Sequence, residues 1–337
     1  MIRLGLVLAL AWSGAAFCGS AVEAHGSLAV VDGRVVDQHF APLSLAGPSL
    51  FWINRGWGSR APVEPSAYYN REVVAQVKRD WNATIIRIAM GVETKGGYLE
   101  DPEGRWAKLV AVADAAVDLG LYFIVDWHSH HAENHPEAAV AFFTRVAERY
   151  GATPNLIYEI YNEPLPDTDW RTDIVPYALP VIRAIRALDA DNLIVVGSPS
   201  WSQDLEKPLA DPITGWLNIA YSLHFYAGTH GSSLRDRATR AIAAGLPVVV
   251  TEWGSVDATG DGAVALEETR RWLDWMREQQ LTHLGWSLHS KAEGASMLTR
   301  DAAPDGSWDD SHLTESGRLF RQTVRNWHQK PLPPSQP

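Results

Sequence analysis

The sequence predicts an α/β protein built as a single closed (β/α)8 barrel, the TIM-barrel architecture. Three observations lead there: short, near-continuous apolar runs recur along the chain; each is followed by an amphipathic stretch of helical period; and eight such units fit within 337 residues. Strands that are apolar throughout belong to a parallel sheet covered on both faces, and eight of them in one chain point to closure. The rival, a doubly wound open sheet, normally carries a glycine-rich phosphate loop after its first strand. Neither G-x-G-x-x-G nor G-x-x-x-x-G-K-[ST] occurs here.

The units read in order. An irregular first strand lies near residues 43–50, followed by a helix over 70–81. Thr84-Ile85-Ile86-Arg87-Ile88 is a strand, and 105–119 a helix in which Trp106, Leu109, Val110, Ala113 and Val117 share a face. Asp101-Pro102 suits the approach to that helix, and Gly120 its stop. Strand 121–126 leads to helix 136–150, with Phe142, Phe143, Val146 and Tyr150 on one side. The alternation continues with strands at 156–160, 193–196, 219–223, 247–251 and 283–287. Helices follow at 171–188, 234–244, 263–279 and 315–327.

The ends differ from the middle. Residues 1–24 combine Arg3, an apolar run from Leu4 to Trp12 and the small-residue end Val22-Glu23-Ala24, the pattern of a secretory signal cut after Ala24. The protein is therefore expected to be secreted, with the barrel over 25–330. The proline-rich residues 331–337 are expected to be a disordered tail. The single cysteine, Cys18, lies within the leader, so the exported chain must be held by its core, without disulfides. No segment after the leader is long and apolar enough to cross a bilayer.

A formal net charge of −11 argues against nucleic acid or an anionic membrane as partner, since both are bound by clustered Lys and Arg. It favours a neutral or cationic ligand. Fifteen tryptophans and ten tyrosines exceed ordinary needs, and aromatic faces stack on pyranose rings, although core packing accounts for most of them.

In such a barrel the site is built at the C-terminal ends of the strands, so polar residues that follow apolar runs are the candidates. They are Arg87, Asp126-Trp127-His128, Asn162-Glu163-Pro164, His224-Phe225-Tyr226, Glu252-Trp253-Gly254 and Trp286. Glu163 and Glu252 end the fourth and seventh strands, and a glycosidase needs two carboxyl groups flanking the scissile bond. A lone strand-end glutamate is equally a solvated loop residue or a metal ligand. If the two face each other at about 5 to 5.5 Å, one attacks the anomeric carbon while the other protonates the leaving oxygen, with net retention.

Asn-Glu-Pro after one apolar strand and Thr-Glu-Trp-Gly after another are more specific. With Ile85 to Met90, Ile124 to His128, Ile157 to Pro164, Leu223 to Gly231, Val250 to Gly254 and Trp286-Ser287-Leu288, the chain resembles glycoside hydrolase family 5, closely its bacterial endoglucanases. The resemblance runs from about residue 45 to residue 325. It implies an endo-β-1,4-glucanase acting on a β-1,4-glucan such as cellulose or on cello-oligosaccharides, as a monomer and without a cofactor. It further implies Glu163 as acid/base and Glu252 as nucleophile, the latter held ionised by Arg87 and Tyr226, with Glu163 kept protonated by its partner's charge. Asn162 would bind the sugar 2-hydroxyl, His128 orient that sugar, His224 orient Glu163, and Trp286 lie beneath the cleaved ring. Trp52 and Trp201 match sugar-stacking positions, and Lys291 with Glu293 the pair that contacts the non-reducing side.

A metal site in the histidine-rich stretch His128 to His135 is rejected, because it lacks the His-Glu-x-x-His spacing that sets two rings on one helix face. Two departures stand out: relatives often carry a histidine in the segment Ala46 to Trp52, and an asparagine where this chain has Gly285, so contacts around the cleavage subsite are expected to differ. Competing readings are a mannanase or xylanase on the same scaffold, or a non-catalytic glucan-binding protein.

Overall fold

A computed structural model describes residues 19–55 and 60–328. Its centre is a closed barrel of eight parallel strands: β3 (Ala46–Leu50), β4 (Ile85–Gly91), β5 (Tyr122–His128), β6 (Leu156–Glu159), β7 (Ile194–Val196), β8 (Ile219–Tyr226), β9 (Val248–Gly254) and β10 (His283–Leu288). Sequential strands are neighbours, and β10 closes against β3. The helices around it include α2 (Arg71–Trp81), α3 (Pro102–Leu119), α4 (Pro136–Tyr150), α5 (Val175–Arg186), α8 (Ser232–Ala243), α9 (Leu266–Gln279) and α10 (Glu315–Arg325). Short helices α1 (Ala21–His25), α6 (Pro199–Ser202) and α7 (Glu206–Ala210) complete the set among the described residues.

Alternation along each strand sorts the side chains. In β5, Phe123, Val125 and Trp127 face the helices, while Tyr122 and Ile124 fill the lower barrel with Ile85, Ile157, Val195, Ala220, Val249 and Leu284. The inward positions above this apolar floor are polar, and that is where the strands present Arg87, Asp126, His128, Glu159 and His224. β4, β5, β8 and β9 accordingly run two or more residues past the apolar stretches that announced them, because inward polar residues still pair in the ladder, whereas β6 and β7 are each one residue shorter than expected. Arg87, expected at a strand end, stands in the interior of β4.

Local signals set the helix boundaries. Asp101 accepts from the Gly104 amide, and Pro102 opens α3 three residues earlier than its periodicity suggested. Gly120, at φ 66°, ends it in the left-handed conformation that glycine favours. The helix expected over 171–188 divides into a wide turn at Trp170–Ile174, capped by Asp169, and α5. Pro176 and Pro180 lack the N–H groups that a regular ladder needs, which explains the break.

The base of the barrel is closed by an element the periodicity did not reveal. An antiparallel hairpin, β1 (Ala29–Val31) and β2 (Arg34–Val36), lies there with α1, and Ala21, Leu28 and Val35 pack onto the apolar floor. Ser20 caps α1 and donates to the Gly120 carbonyl at 3.3 Å, while Tyr122 donates to the Gly26 carbonyl at 2.6 Å. Residues 20–24, expected to be the end of the leader, are thus docked on the barrel. Residues 1–18 of the expected leader and the whole of the expected tail, residues 331–337, lie outside the described residues.

Gly285 faces away from the cleft. A Cβ there would lie 1.9 Å from the Phe320 ring of α10, so the departure from asparagine is matched by a phenylalanine packed from outside, and not by a changed contact at the barrel mouth.

Candidate active site

The upper mouth of the barrel opens into a cleft of about 610 Å³ lined by Trp52, His128, Glu163, Trp201, His224, Tyr226, Glu252, Trp286, Lys291 and Glu293. Arg87 and Asn162 are buried beneath it. All twelve residues singled out from the sequence therefore converge on one place. The lining also includes Phe51, His130, Gln203, Thr229 and His230, which sequence reasoning did not select. Thr229 and His230 lie in the matched segment Leu223 to Gly231 and His130 in the histidine-rich stretch, yet no role is read for them there, and Phe51 and Gln203 follow strands without a chemical type that separates them from loop residues.

Glu163 and Glu252 approach across this mouth: ligand atoms of Glu163, His224 and Glu252 all lie within 4.8 Å of one another. A separation of that order suits two carboxyls acting on a single anomeric centre, with no intervening water.

The geometry of Glu252 is set from two sides. Tyr226 Oη donates to its Oε1 at 2.7 Å, and Arg87 Nη1 donates to Oε2 at 2.9 Å. Gly254 makes the first contact possible, since a Cβ there would sit 2.3 Å from the Tyr226 ring. Burial nevertheless pushes the Glu252 carboxyl above its ordinary range, aided by the charge of Glu163 and opposed by His224, Arg87 and Tyr226. The sequence-based expectation that Arg87 and Tyr226 hold this group ionised is met in their contacts but not in the net direction.

Arg87 organises the floor of the site. Its Nε donates to Glu159 Oε2 at 2.7 Å and its Nη2 to Asn162 Oδ1 at 2.6 Å, with Asp126 Oδ2 at 3.0 Å. One guanidinium thus faces three buried carboxylates. Burial pushes Asp126 well up, whereas Glu159 is held below its ordinary range, against burial, by Arg87 and His224. With its carbonyl oxygen committed to Arg87, the Asn162 amide leaves Nδ2 buried without a protein partner, a donor suited to a sugar hydroxyl.

His224 joins the two carboxyl systems. Its Nδ1 lies 2.9 Å from Glu163 Oε1, and its Nε2 2.8 Å from Thr251 Oγ1. Burial disfavours the imidazolium, yet hydrogen bonds to Glu159 and Glu163 and the charges of Glu252 and Glu163 prevail, raising the pKa from 6.5 to about 9. A raised folded-state value means that this group's contribution to stability is complete below about pH 6.5 and lost as pH rises toward 9. Thermal unfolding is expected to show a decline across that window that is absent from a His224→Gln variant.

Both Thr251 and Glu252 reach inward because β9 bulges. Ser222 pairs with Val249 but His224 with Glu252, so β9 carries one residue more than β8 between those pairs. The regular alternation of the strand is suspended there.

The aromatic walls are built separately. His128 donates or accepts through Nδ1 at 2.6 Å from Asp126, and its ring lies parallel to Trp286 at 5.2 Å with Trp52 edge-on at 4.3 Å. Trp201 is 42% exposed on a turn in which Ser200, Trp201 and Ser202 all adopt positive φ. That turn is tied down by Ser202 Oγ donating to the Asn162 carbonyl at 2.7 Å. At the far end Lys291 pairs with the buried Glu293, which also meets His289 at 3.0 Å.

The histidines of the 128–135 loop do not converge. His128, His130, His131 and His135 approach Asp126, Glu163, Glu133 and Glu93 respectively. Both ring nitrogens of His224 already have protein partners, Glu163 and Thr251.

Comparison with known proteins places these features in a family. Residues 36–292 match the model described as cellulase (glycosyl hydrolase family 5). The chain is 48% identical to endoglucanase Z of Dickeya dadantii over 287 residues, which is 85% of this chain and 64% of that protein. It is 36% identical to an endoglucanase of Clostridium saccharobutylicum over 302 residues, 89% of this chain and 65% of that one. The chain thus spans a little under two thirds of the length of these relatives. A solved structure from Cytophaga hutchinsonii superimposes with a TM-score of 0.86 at 43% identity, covering 91% of this chain and 97% of that one. The catalytic domain of Thermobifida fusca endoglucanase Cel5A, in complex with cellotetraose, does so with a TM-score of 0.82 at 30% identity, covering 91% and 100%.

Proposed function

The chain belongs to glycosyl hydrolase family 5, and from that membership we propose that it is a retaining endo-β-1,4-glucanase, cutting internal bonds of cellulose-like glucans and cello-oligosaccharides. The observation that carries this reading is the approach of Glu163 and Glu252 across one mouth, within 4.8 Å through their ligand atoms. Glu252, aimed by Arg87 and Tyr226, is the nucleophile. Glu163, beside His224, protonates the departing oxygen and then deprotonates the water that releases the sugar. Asn162 Nδ2 reaches the 2-hydroxyl, a contact that strengthens as positive charge develops on the ring. Trp286 and Trp52 stack on sugars near the cleavage point, Trp201 on the leaving side, and Lys291 with Glu293 bind the non-reducing side. Likeness to named endoglucanases, and to a neighbour crystallised with cellotetraose, favours glucan over mannan or xylan.

The chain is also proposed to be exported by its N-terminal leader. The docking of Ala21 on the barrel floor favours a cut ahead of that residue over one after Ala24.

Incubation with carboxymethylcellulose, mannan and xylan, followed by reducing ends and viscosity, tests the substrate. A rapid viscosity fall on the glucan is expected; release chiefly from mannan or xylan would reassign it, and no release would mean a binding protein. NMR of the first product should show the β-anomer. In a Glu163→Ala variant, kcat/KM on aryl cellobiosides is expected to fall by about 10² or more with a poor leaving group, and by far less with dinitrophenolate, which leaves without acid assistance.

A further inference from the structure

Between the reacting carboxyls and the guanidinium runs a chain of three side chains whose hydrogen bonds can point only one way. Glu159 is fully buried and receives Arg87 Nε at 2.7 Å on Oε2, and Arg87 Nη2 at 3.3 Å on Oε1. Paired in this way it is a carboxylate, which accepts and cannot donate. Thr251, also fully buried, therefore spends its only proton on Glu159 Oε1, at 2.6 Å. Its oxygen is left as an acceptor toward His224 Nε2, at 2.8 Å, so that nitrogen must carry a hydrogen. What remains free to gain or lose a proton is Nδ1, the nitrogen that faces Glu163.

We infer that Thr251 and Glu159 are positioning residues that lock the His224 ring in one tautomer, so that Nδ1 stores the proton with which Glu163 works as acid. This rests on the assignment of Glu163 as acid/base. The exchange is balanced: the Nδ1–H bond of the imidazolium breaks as the Glu163 O–H bond forms, leaving a neutral imidazole and a carboxylic acid. That O–H breaks in turn as the leaving glycosidic oxygen takes the proton. In the second half-reaction a proton from water returns by the reverse path, restoring the imidazolium. A ring locked the other way round, with its hydrogen fixed on Nδ1, would give Glu163 a permanent donor and no store.

The groups that face His224 agree with a mobile proton at this point. Glu159 and Glu163 approach from β6 and the segment after it, and Glu252 from β9. Asp126 and His128 of β5 act on it by charge, Arg87 of β4 stands behind Glu159 and Glu252, and Tyr226, two residues along its own strand, donates to Glu252. Four carboxyls therefore share two side chains that can carry positive charge, Arg87 and His224, and the second is the one able to release its charge. The bulge in β9 is what allows Thr251 to serve the ring while Glu252 next to it serves the substrate.

Two measurements decide the matter. In the first, kcat/KM against pH is compared for wild type, Thr251→Val and Thr251→Ser on two aryl cellotriosides, one with a methylphenol and one with a dinitrophenol leaving group. Thr251→Val keeps the shape and removes the hydroxyl; its basic limb is expected to move about one pH unit or more toward acid. On the methylphenyl substrate it is expected to lose about tenfold or more, with little change on the dinitrophenyl one, and Thr251→Ser should restore both. An unshifted profile in Thr251→Val, or an equal loss on both substrates, would overturn the proposal in favour of a packing role. The second needs neither substrate nor variant: ¹⁵N NMR of the His224 ring should show Nε2 protonated throughout the titration while Nδ1 changes. Titration at Nε2 would overturn the proposal even if the variants failed to fold. A wild type that leaves both cellotriosides intact would sink the glucanase reading instead, and the ring spectrum would still decide this one.

Discussion

Glu252→Gln is expected to lower kcat/KM on cello-oligosaccharides by more than about 10³-fold, a loss of roughly 4 kcal/mol of transition-state stabilisation. The amide is nearly the same size as the carboxylate and can still receive Tyr226, so the fold and the cleft should persist. What disappears is the oxygen nucleophile that forms the glycosyl ester, and the two carboxyls buried beneath it, Glu159 and Asp126, are occupied by Arg87 and do not take its place. Binding of cellotetraose, measured by calorimetry, is expected to survive in this variant. Turnover close to that of the wild type would remove Glu252 from the mechanism.

Arg87→Met is expected to be the most destabilising single change at the site, by about 3 to 5 kcal/mol. The side chain has no exposed surface and compensates Asp126, Glu159 and Glu252 at 3.0, 2.7 and 2.9 Å. Its loss leaves three buried carboxyls without their cation, and they must bind protons or repel one another. For a chain of this size the melting temperature should drop by roughly 10 °C, measured at neutral pH, with partial recovery on acidification as the carboxyls are neutralised. Arg87→Lys is expected to rescue little, since a single ammonium cannot span three carboxyls on three strands. A melting temperature equal to that of the wild type would show that the carboxyls are not held as this geometry indicates.

The barrel was legible because its strands are buried on both faces and read as apolar runs, and its helices carry caps that chemistry makes recognisable, such as Asn70, Asp101-Pro102 and Thr314. The site was legible through residues with an unmistakable chemical type at strand ends, above all Glu163, Glu252 and His224. What escaped is instructive. Glu159 and Thr251 lie within the matched segments Ile157 to Pro164 and Val250 to Gly254, but the neighbouring catalytic glutamates drew the reading; only their inward direction gives them a role, and for Thr251 the direction depends on a bulge that no periodicity announces. The hairpin of β1 and β2 is too short to show alternation. Gly285 looked like a change at the cleavage point, yet its neighbour in space, Phe320, is 35 positions away in sequence on α10. Trp81, Trp127, Trp253 and Trp272 are fully buried, so the abundance of tryptophan mostly reflects packing, as composition alone suggested.

The seal formed by α1 and the hairpin has a practical corollary. Ser20 meets Gly120 there, and at the other terminus His328 meets Thr84 at 3.4 Å, so the described chain enters and leaves on the side opposite the mouth. A module fused to either end would hang like a tether from the rear of the enzyme. Attached there, neither the tether nor its cargo would obstruct the entrance to the cleft.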